Sequence, residues 1–352
     1  MAKLIAFWYN FGIVKVLTAM SGGVDSAVAA LLLKEQGYTP VGVTAKMWQG
    51  ADVQDVKDAA TVCEKLGIEH HVVDLCAAFH QLVISRFVQE YDYGRTPNPC
   101  VDCNKYIKFG VLAGYMEQFG CEKFATGHYA RVGERNGQKV LLRAKDLAKD
   151  QSYVLYGITV DFLPKLLLPL GEYTKEEIRR KAMAAGIEVA HKSDSQDICF
   201  VPNGDYMHVL QQEGLRHSHV GNFELSDGRK IGKHQGMACY TIGQRKGLGI
   251  AWEHPLYVIS KNAGTNAVIL GKDEELFTDK LICKDVNFLV PCGKEFVCSA
   301  KIRYKATTAE CKVNCNGERC FVTFKEKQRA ITAGQSVVFY NNDLVLGGGI
   351  IE

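Results

Sequence analysis

Two rhythms of apolar and polar positions alternate along the first half of the chain. Residues 13–20 form a short, β-branched apolar run, and after a glycine-rich turn residues 24–36 carry apolar side chains at helical spacing as far as Gly37. Such runs predict a strand and then a helix, with glycine as the stop signal. The same reading gives a strand over 39–45, a helix over 53–66 ended by Gly67, and a strand over 70–75. Helices are expected over 77–90 and 106–118, and a buried strand over 123–127. Strands and helices alternating at this spacing predict a parallel sheet covered by helices on both faces.

The rhythm then changes. Residues 132–143 read as a hairpin around Asn136-Gly137, and Thr174 with Glu177 three residues on has the pattern of a capping box. Beyond Asp205 helical periodicity is scarce. Asp227-Gly228 and Asn316-Gly317 mark tight hairpins, and from Lys280 to Glu352 short alternating segments succeed one another, which suits a small β-barrel. The expected fold is α/β: a parallel-sheet nucleotide-binding domain over 1–205, a small central domain over 206–272 and a C-terminal β-barrel over 273–352.

Composition narrows this only a little. A chain of 352 residues, 47% hydrophobic, can bury a core in each of two or three domains, which excludes a disordered protein. The net charge of +3 permits a polyanionic partner without arguing for one. Thirteen cysteines is an odd number in a large chain. Lys3 followed by the apolar stretch 4–11 imitates a secretory leader, but it runs into the first strand with no small-residue cleavage site between. The expected compartment is therefore reducing and cytoplasmic, with cysteines kept as thiols, metal ligands or transient disulfides. No segment has the roughly 18 to 20 uninterrupted apolar residues of a membrane-spanning helix, so no membrane partner is expected.

The turn between the first strand and helix is Ser21-Gly22-Gly23-Val24-Asp25-Ser26. Its glycines allow a tight turn and close approach to a ligand, while free N–H groups and the helix dipole favour an anion. Ser21 and Ser26 add hydroxyl donors, and Asp25 can hold a magnesium ion against phosphates. The spacing is too short for a Walker loop and lacks Gly-Lys-Ser/Thr. A plain connecting turn is the bland alternative. The six residues together resemble the signature of the PP-loop ATP pyrophosphatase superfamily, whose members split ATP between the α- and β-phosphates and adenylate a carbonyl oxygen.

Two further segments supply thiols. Gly94-Arg95-Thr96-Pro97-Asn98-Pro99-Cys100-Val101-Asp102-Cys103-Asn104-Lys105-Tyr106-Ile107-Lys108-Phe109-Gly110 is a proline-stiffened loop opening into a helix, and Asp194-Ser195-Gln196-Asp197-Ile198-Cys199-Phe200 is a polar turn carrying one thiol. A cysteine at a helix start beside Lys105 and Lys108 is expected to have a lowered pKa. With Ala125-Thr126-Gly127-His128-Tyr129, Lys149-Asp150-Gln151-Ser152-Tyr153 and Tyr240-Thr241-Ile242-Gly243-Gln244-Arg245-Lys246-Gly247-Leu248-Gly249, these segments resemble the bacterial tRNA-specific 2-thiouridylase family over nearly the whole chain. Members of that family modify the wobble uridine of glutamate, glutamine and lysine tRNAs.

The resemblance implies a set of roles. Ala19, Met20, Ser21, Gly22, Gly23, Val24, Asp25, Ser26, Ala45 and Gly127 would bind ATP with magnesium. Cys199 would carry sulfur as a persulfide, delivered by a cysteine desulfurase or sulfur-relay protein, and Cys103 would attack or resolve it through a transient Cys103–Cys199 disulfide. Asn98, Pro99 and Cys100 would face the target base. His128, Lys149, Asp150, Gln151, Arg303, Tyr304 and Gln335 would contact tRNA, with Arg303 and Tyr304 expected in a barrel strand.

Two departures qualify this. Many family members have aspartate where this chain has Cys100, and methionine where it has Ala45. A thiol cannot replace a carboxylate as an acid–base group, so protonation falls to Asp102 or to the base, or the chemistry differs. Cys100, Cys103 and Cys199 also offer three thiolates to an iron–sulfur cluster, an alternative the residues leave open. Cys311, Cys315 and Cys320 lack the spacing of two zinc knuckles and read as hairpin thiols. Rival readings are an amidating synthetase of the same fold, which has no need of paired cysteines, and a non-catalytic RNA-binding or sulfur-carrier protein, which has no need of an intact Ser21-to-Ser26 loop.

Overall fold

The computed structural model describes residues 14–48, 53–187, 198–201, 204–216 and 219–352; the apolar stretch 4–11 and the turn residues Asp194, Ser195, Gln196 and Asp197 lie outside them. Strands β1 (Lys15–Ala19), β2 (Thr39–Lys46), β3 (Glu69–Asp74) and β4 (Lys123–Ala125) form most of the first sheet. The hairpin β5 (Ala130–Arg135) and β6 (Gln138–Arg143) follows, and then the two-residue β7 (Leu166–Leu167). The sheet is five-stranded in the order β3-β2-β1-β4-β7, and every pairing in it is parallel.

Helices cover both faces, as the alternation predicts. Leu17, Val41, Val43 and Phe124 face one layer containing Phe79, Phe87 and Ile107. Met20, Val28, Ala59 and Val62 pack in the other. The helix Val24–Glu35 is buried along most of its circumference, which suits its alanine-rich sequence and its place at the sheet centre. Strand order reverses at β1: β2 and β3 build outward on one side, β4 and β7 on the other. A crevice therefore opens beyond the carboxyl ends of β1 and β4, where sheets of this kind receive ligands.

The structure corrects the expected helix over 106–118. The helix begins earlier, at Pro99–Asp102, and continues as a π-helix over Cys103–Leu112 before a last turn at Tyr115–Gln118. The start signals are local: Asn98 caps with its side chain, accepting from the Cys100 N–H at 3.1 Å, and Pro99 occupies the first turn. A second π-wound stretch, His80–Ile84, lies inside the expected helix over 77–90, which extends to Asp92.

After the helix Tyr206–Gln212 comes a four-stranded sheet of β8 (Gly221–Leu225), β9 (Lys230–His234), β10 (Tyr257–Asn262) and β11 (Ala267–Gly271), ordered β10-β11-β8-β9. Sequence periodicity identified only its β8–β9 hairpin. The last strands are β12 (Phe277–Phe288), β13 (Glu295–Lys301), β14 (Ala309–Asn316), β15 (Arg319–Arg329), β16 (Ser336–Asn341) and β17 (Leu344–Ile351). Antiparallel pairing runs β12-β15-β14-β13-β16-β17, and β17 returns to β12 to close a six-stranded barrel. Closure removes the free edges that an open sheet of this length would expose.

Two findings differ from expectation here. The hairpin β5–β6 does not join the parallel sheet; it extends the barrel sheet through Leu142 opposite Leu344, fixed by Arg131 and Arg135 on Asp343 at 3.2 and 2.8 Å. Cys315 and Cys320 are not free hairpin thiols, because direct opposition across β14 and β15 joins them in a disulfide. Cys311 remains a thiol, 3.6 Å from Cys298 on the neighbouring strand.

Candidate active site

The loop after β1 lies at the crevice and is ordered by its own side chains. Ser26 Oγ donates to the Gly23 carbonyl at 3.0 Å and accepts from the Ser21 N–H at 3.1 Å, with Ser21 Oγ 3.2 Å away. Gly22 adopts φ 73°, and a Cβ there would lie 2.4 Å from the Asp55 carbonyl oxygen, so no other residue fits. Gly127, at the end of β4, presses on the same loop: its Cβ would come within 2.8 Å of Asp25 C and 2.9 Å of Ser26 N. Ala19, Met20, Val24 and Ala45 line the ends of β1 and β2 and the first turn of the helix.

Asp25 is held by partners that sequence reasoning missed. Both its carboxylate oxygens accept from Lys175 Nζ at 2.8 Å, and Oδ1 also accepts from the Tyr129 hydroxyl at 2.8 Å. Lys175 is buried at the first position of the helix Lys175–Ala184. The capping box of Thr174 and Glu177 forms as predicted, yet a lysine directly after that cap opposes the helix dipole. That mismatch was the available signal: the cation is there for an acceptor outside its own helix. A magnesium ion would take Asp25 as its single protein ligand only by displacing Lys175, which engages both carboxylate oxygens.

Cys100, Cys103 and Cys199 act electrostatically on one another and share Lys108 as a neighbour. Cys100 and Cys199 reach the surface and Cys103 is buried. Burial pushes the Cys103 thiol up to about 12, reinforced by nearby Cys199, Cys100 and Asp102 and opposed by Lys108. Desolvation also raises Cys100 and Cys199, and Lys108 again opposes it. The lowered pKa expected from the helix start is thus overturned, because desolvation outweighs the neighbouring charge. Lys105 takes no part: its ammonium lies over the Tyr106 ring at 5.0 Å and its stem runs along Gly157. Among the described residues no three His, Cys, Asp or Glu side chains are grouped to hold a metal ion.

The remaining predicted residues surround this centre with different degrees of freedom. His128 is buried, its Nδ1 2.7 Å from Thr126 Oγ1 and its Nε2 3.4 Å from Lys108 Nζ. Asp150 is also buried and accepts from Arg143, the Ala144 and Ser152 N–H groups, and Ser152 Oγ. Gln151 is bound twice to the Tyr129 backbone, while Lys149 is half-buried. Arg303 and Tyr304 lie in the turn after β13 rather than in a strand, and Arg303 donates to the Arg329 carbonyl at 3.1 Å. Gly243 packs against Arg329 and Ala330, so the exposed Arg245 and Lys246 share that basic edge. Gln335 donates its amide to the Thr96 carbonyl at 2.7 Å, and Thr96 N–H binds the Ala333 carbonyl at 2.9 Å, so the barrel grips the loop that carries Asn98, Pro99 and Cys100.

Comparison with known proteins gives a consistent pattern. Residues 14–203 match a family described as the tRNA methyl transferase HUP domain, 209–272 the corresponding PRC-barrel domain, and 278–351 an aminomethyltransferase beta-barrel domain. The chain is 46% identical over 352 residues to the tRNA-specific 2-thiouridylase MnmA of Clostridium perfringens, covering 96% of this chain and 98% of that protein. It is 45% identical over 345 residues to tRNA-specific 2-thiouridylase MnmA 2 of Clostridium botulinum, with the same coverage of 96% and 98%. Among solved structures it is similar to a 4-thiouridine synthetase in complex with RNA and bound ATP, with a TM-score of 0.40 and 19% identity over 56% of this chain and 50% of that one.

Proposed function

Because the chain belongs to the tRNA-specific 2-thiouridylase family, we propose that it replaces the 2-oxygen of the wobble uridine in glutamate, glutamine and lysine tRNAs by sulfur, at the expense of ATP. The observation that carries this reading is one of adjacency. Gly127 packs on the loop at Asp25 and Ser26, its neighbour His128 lies 3.4 Å from Lys108, and the Lys108 charge acts on Cys100, Cys103 and Cys199. A nucleobase turned out of its stack can meet the adenylating and the sulfur-bearing groups together.

On this reading Ser21, Gly22, Gly23 and Ser26 cradle the polyphosphate with Ala19, Met20, Val24, Ala45 and Gly127 around the nucleotide, and Lys175 supplies positive charge at Asp25. A magnesium ion, which Asp25 would hold in place of Lys175, would supply further charge to the phosphates. The uridine 2-oxygen attacks the α-phosphorus and pyrophosphate leaves. The terminal sulfur of a Cys199 persulfide, received from a desulfurase or relay protein, attacks C2 and expels AMP. Cys103 thiolate then attacks Cys199 Sγ, which breaks the S–S bond, leaves sulfur on C2 and forms a Cys103–Cys199 disulfide for an external dithiol to reduce. Asn98, Pro99 and Cys100 face the base. His128, Lys149, Asp150, Gln151, Arg303, Tyr304 and Gln335 hold the tRNA directly or by fixing the surface it meets. Adenylation and sulfur transfer would fall to the domain over 1–205, tRNA binding to the small domain over 206–272, and further tRNA contacts to the first domain and to the barrel over 273–352.

The test is a reaction of purified protein with ATP, magnesium, a persulfide source and unmodified tRNA, read by nucleoside mass spectrometry. One sulfur in place of one oxygen at the wobble uridine is expected; pyrophosphate release with ammonia incorporated instead would favour the amidating alternative. The pH dependence follows from burial of the thiols. With Cys103 raised to about 12, its thiolate is the minor form at neutral pH. Single-turnover sulfur transfer should therefore rise with pH by about tenfold per unit from pH 7 to 9, and a flat profile there would exclude Cys103 thiolate as the limiting nucleophile.

A further inference from the structure

We propose that Lys301, a buried lysine framed by Tyr153 and Tyr304, holds a backbone phosphate of the bound RNA beside a base that lies against the exposed part of the Tyr304 ring. This rests on the tRNA reading above and adds to it an anchor where the barrel meets the segment 150–153.

Three observations carry it. The first is a charge without a counter-charge. Lys301, the last residue of β13, is only 8% exposed, and among the described residues its ammonium makes no hydrogen bond or ion pair. Its neighbours are rings: the Tyr153 centroid lies 5.9 Å from Nζ and the Tyr304 centroid 5.6 Å. A cation–π contact recovers less than an ammonium loses on leaving water, so a lysine kept here calls for an acceptor that arrives with a ligand. Burial holds the ammonium below the usual lysine value; Asp150 opposes this and Arg143 adds to it.

The second is that Asp150 is already fully engaged. Its oxygens accept from Arg143 Nε at 3.2 Å, from the Ala144 and Ser152 N–H groups at 3.1 Å each, and from Ser152 Oγ at 3.0 Å. Arg143 and Lys301 therefore share one carboxylate, which leaves an excess of positive charge in a place with little water. Arg303 turns its guanidinium to the Arg329 carbonyl, a neutral acceptor, and does not reduce that excess.

The third is the shape of the surroundings. Two segments far apart in the chain meet around Lys301, with Tyr153 edge-on to Tyr304 and their centroids 6.0 Å apart. Tyr153 is fully buried and fixed by its hydroxyl on the Ser336 carbonyl at 2.8 Å, whereas Tyr304 is 36% exposed. A cation beside a partly exposed aromatic ring matches a nucleotide, with phosphate on the one and base on the other. A small inorganic anion would use the lysine and leave the ring unused.

The experiment measures equilibrium binding of unmodified tRNA to the full chain, without ATP or a persulfide, over KCl concentrations from about 0.05 to 0.4 M. The wild type is compared with Lys301→Gln, Lys301→Met, Lys301→Arg, Tyr304→Ala and Lys325→Gln. Loss of one phosphate contact is expected to reduce the slope of log Kd against log salt by about 0.7 to 0.9 and to weaken binding about fivefold near 0.15 M salt. Lys301→Arg keeps the slope. Tyr304→Ala weakens binding about tenfold with the slope unchanged. Lys325→Gln, which removes an exposed barrel cation paired with Glu310, changes neither. Removing a buried charge without a partner should leave the free protein at least as heat-stable as the wild type, and glutamine keeps a polar head if the methionine variant does not fold. An unchanged slope in the neutral variants overturns the proposal, even if binding weakens, because that result marks Lys301 as packing for Tyr304. So does an equal change of slope in Lys325→Gln, or lost affinity for a non-hydrolysable ATP analogue with the tRNA slope kept, which would give the phosphate to the nucleotide. Binding is read without turnover: the reduced slope in a protein that does not thiolate tRNA sinks the functional reading and leaves this one standing, and the unchanged slope in one that does thiolate it does the reverse. Failure of the wild type to bind tRNA overturns both.

Discussion

Cys199→Ser is expected to abolish sulfur incorporation into tRNA, by a factor on the order of 10³ or more, while pyrophosphate release from ATP in the presence of tRNA continues. The two halves of the reaction use different groups. On the proposed mechanism adenylation uses the loop Ser21 to Ser26 and Gly127, whereas Cys199 carries the sulfur. Serine preserves the volume at an exposed position, so the fold should not suffer. It cannot carry a persulfide, and its hydroxyl cannot take part in exchange with Cys103. The measurement is a paired assay of pyrophosphate and of thionucleoside on one preparation. Sulfur transfer at wild-type rate would exclude Cys199 as carrier, and loss of both activities together would mean that the thiol supports nucleotide binding instead.

Gly127→Ala should have the opposite signature. Its added methyl would overlap the backbone of Asp25 and Ser26, at 2.8 and 2.9 Å, where no flexible side chain can yield. Either the end of β4 or the anion loop must retreat. A displacement near one ångström at a positioning group costs about a hundredfold in rate, so pyrophosphate release should fall by about that factor. Equilibrium binding of a non-hydrolysable ATP analogue checks the cause: unchanged affinity with unchanged turnover would show that the loop does not need this close approach.

Much of this was legible from residue patterns, and the failures share a cause. The parallel sheet and the glycine turn after its first strand could be read because β-branched runs, glycine stops and the Ser21-to-Ser26 spacing are local signals. The barrel could be read from short alternating segments after Lys280. What escaped depends on contacts between distant segments. Lys175 looks like an ordinary helix residue until Asp25, 150 positions away, is brought against it. The π-winding at Cys103 has no periodic signature that distinguishes it from an α-helix, so Lys105 and Lys108 seemed equivalent. The thiol pKa was misjudged because neighbouring charge is visible in sequence and burial is not. Likewise, nothing in the residues around Asn136-Gly137 announces that their hairpin continues a sheet formed some 200 residues later in the chain.

The grip of Ala333 and Gln335 on Thr96 has an evolutionary corollary. An appended RNA-binding unit that merely tethers its target can be exchanged for another by recombination. Here the final unit also sets the shape of the segment that leads into Cys100 and Cys103, and Gly334 admits the Thr96 backbone only because it lacks a side chain. A chimaera that keeps the nucleotide half and takes its last eighty or so residues from an unrelated barrel would lose this template, so the two ends of the polypeptide are bound to diversify in step.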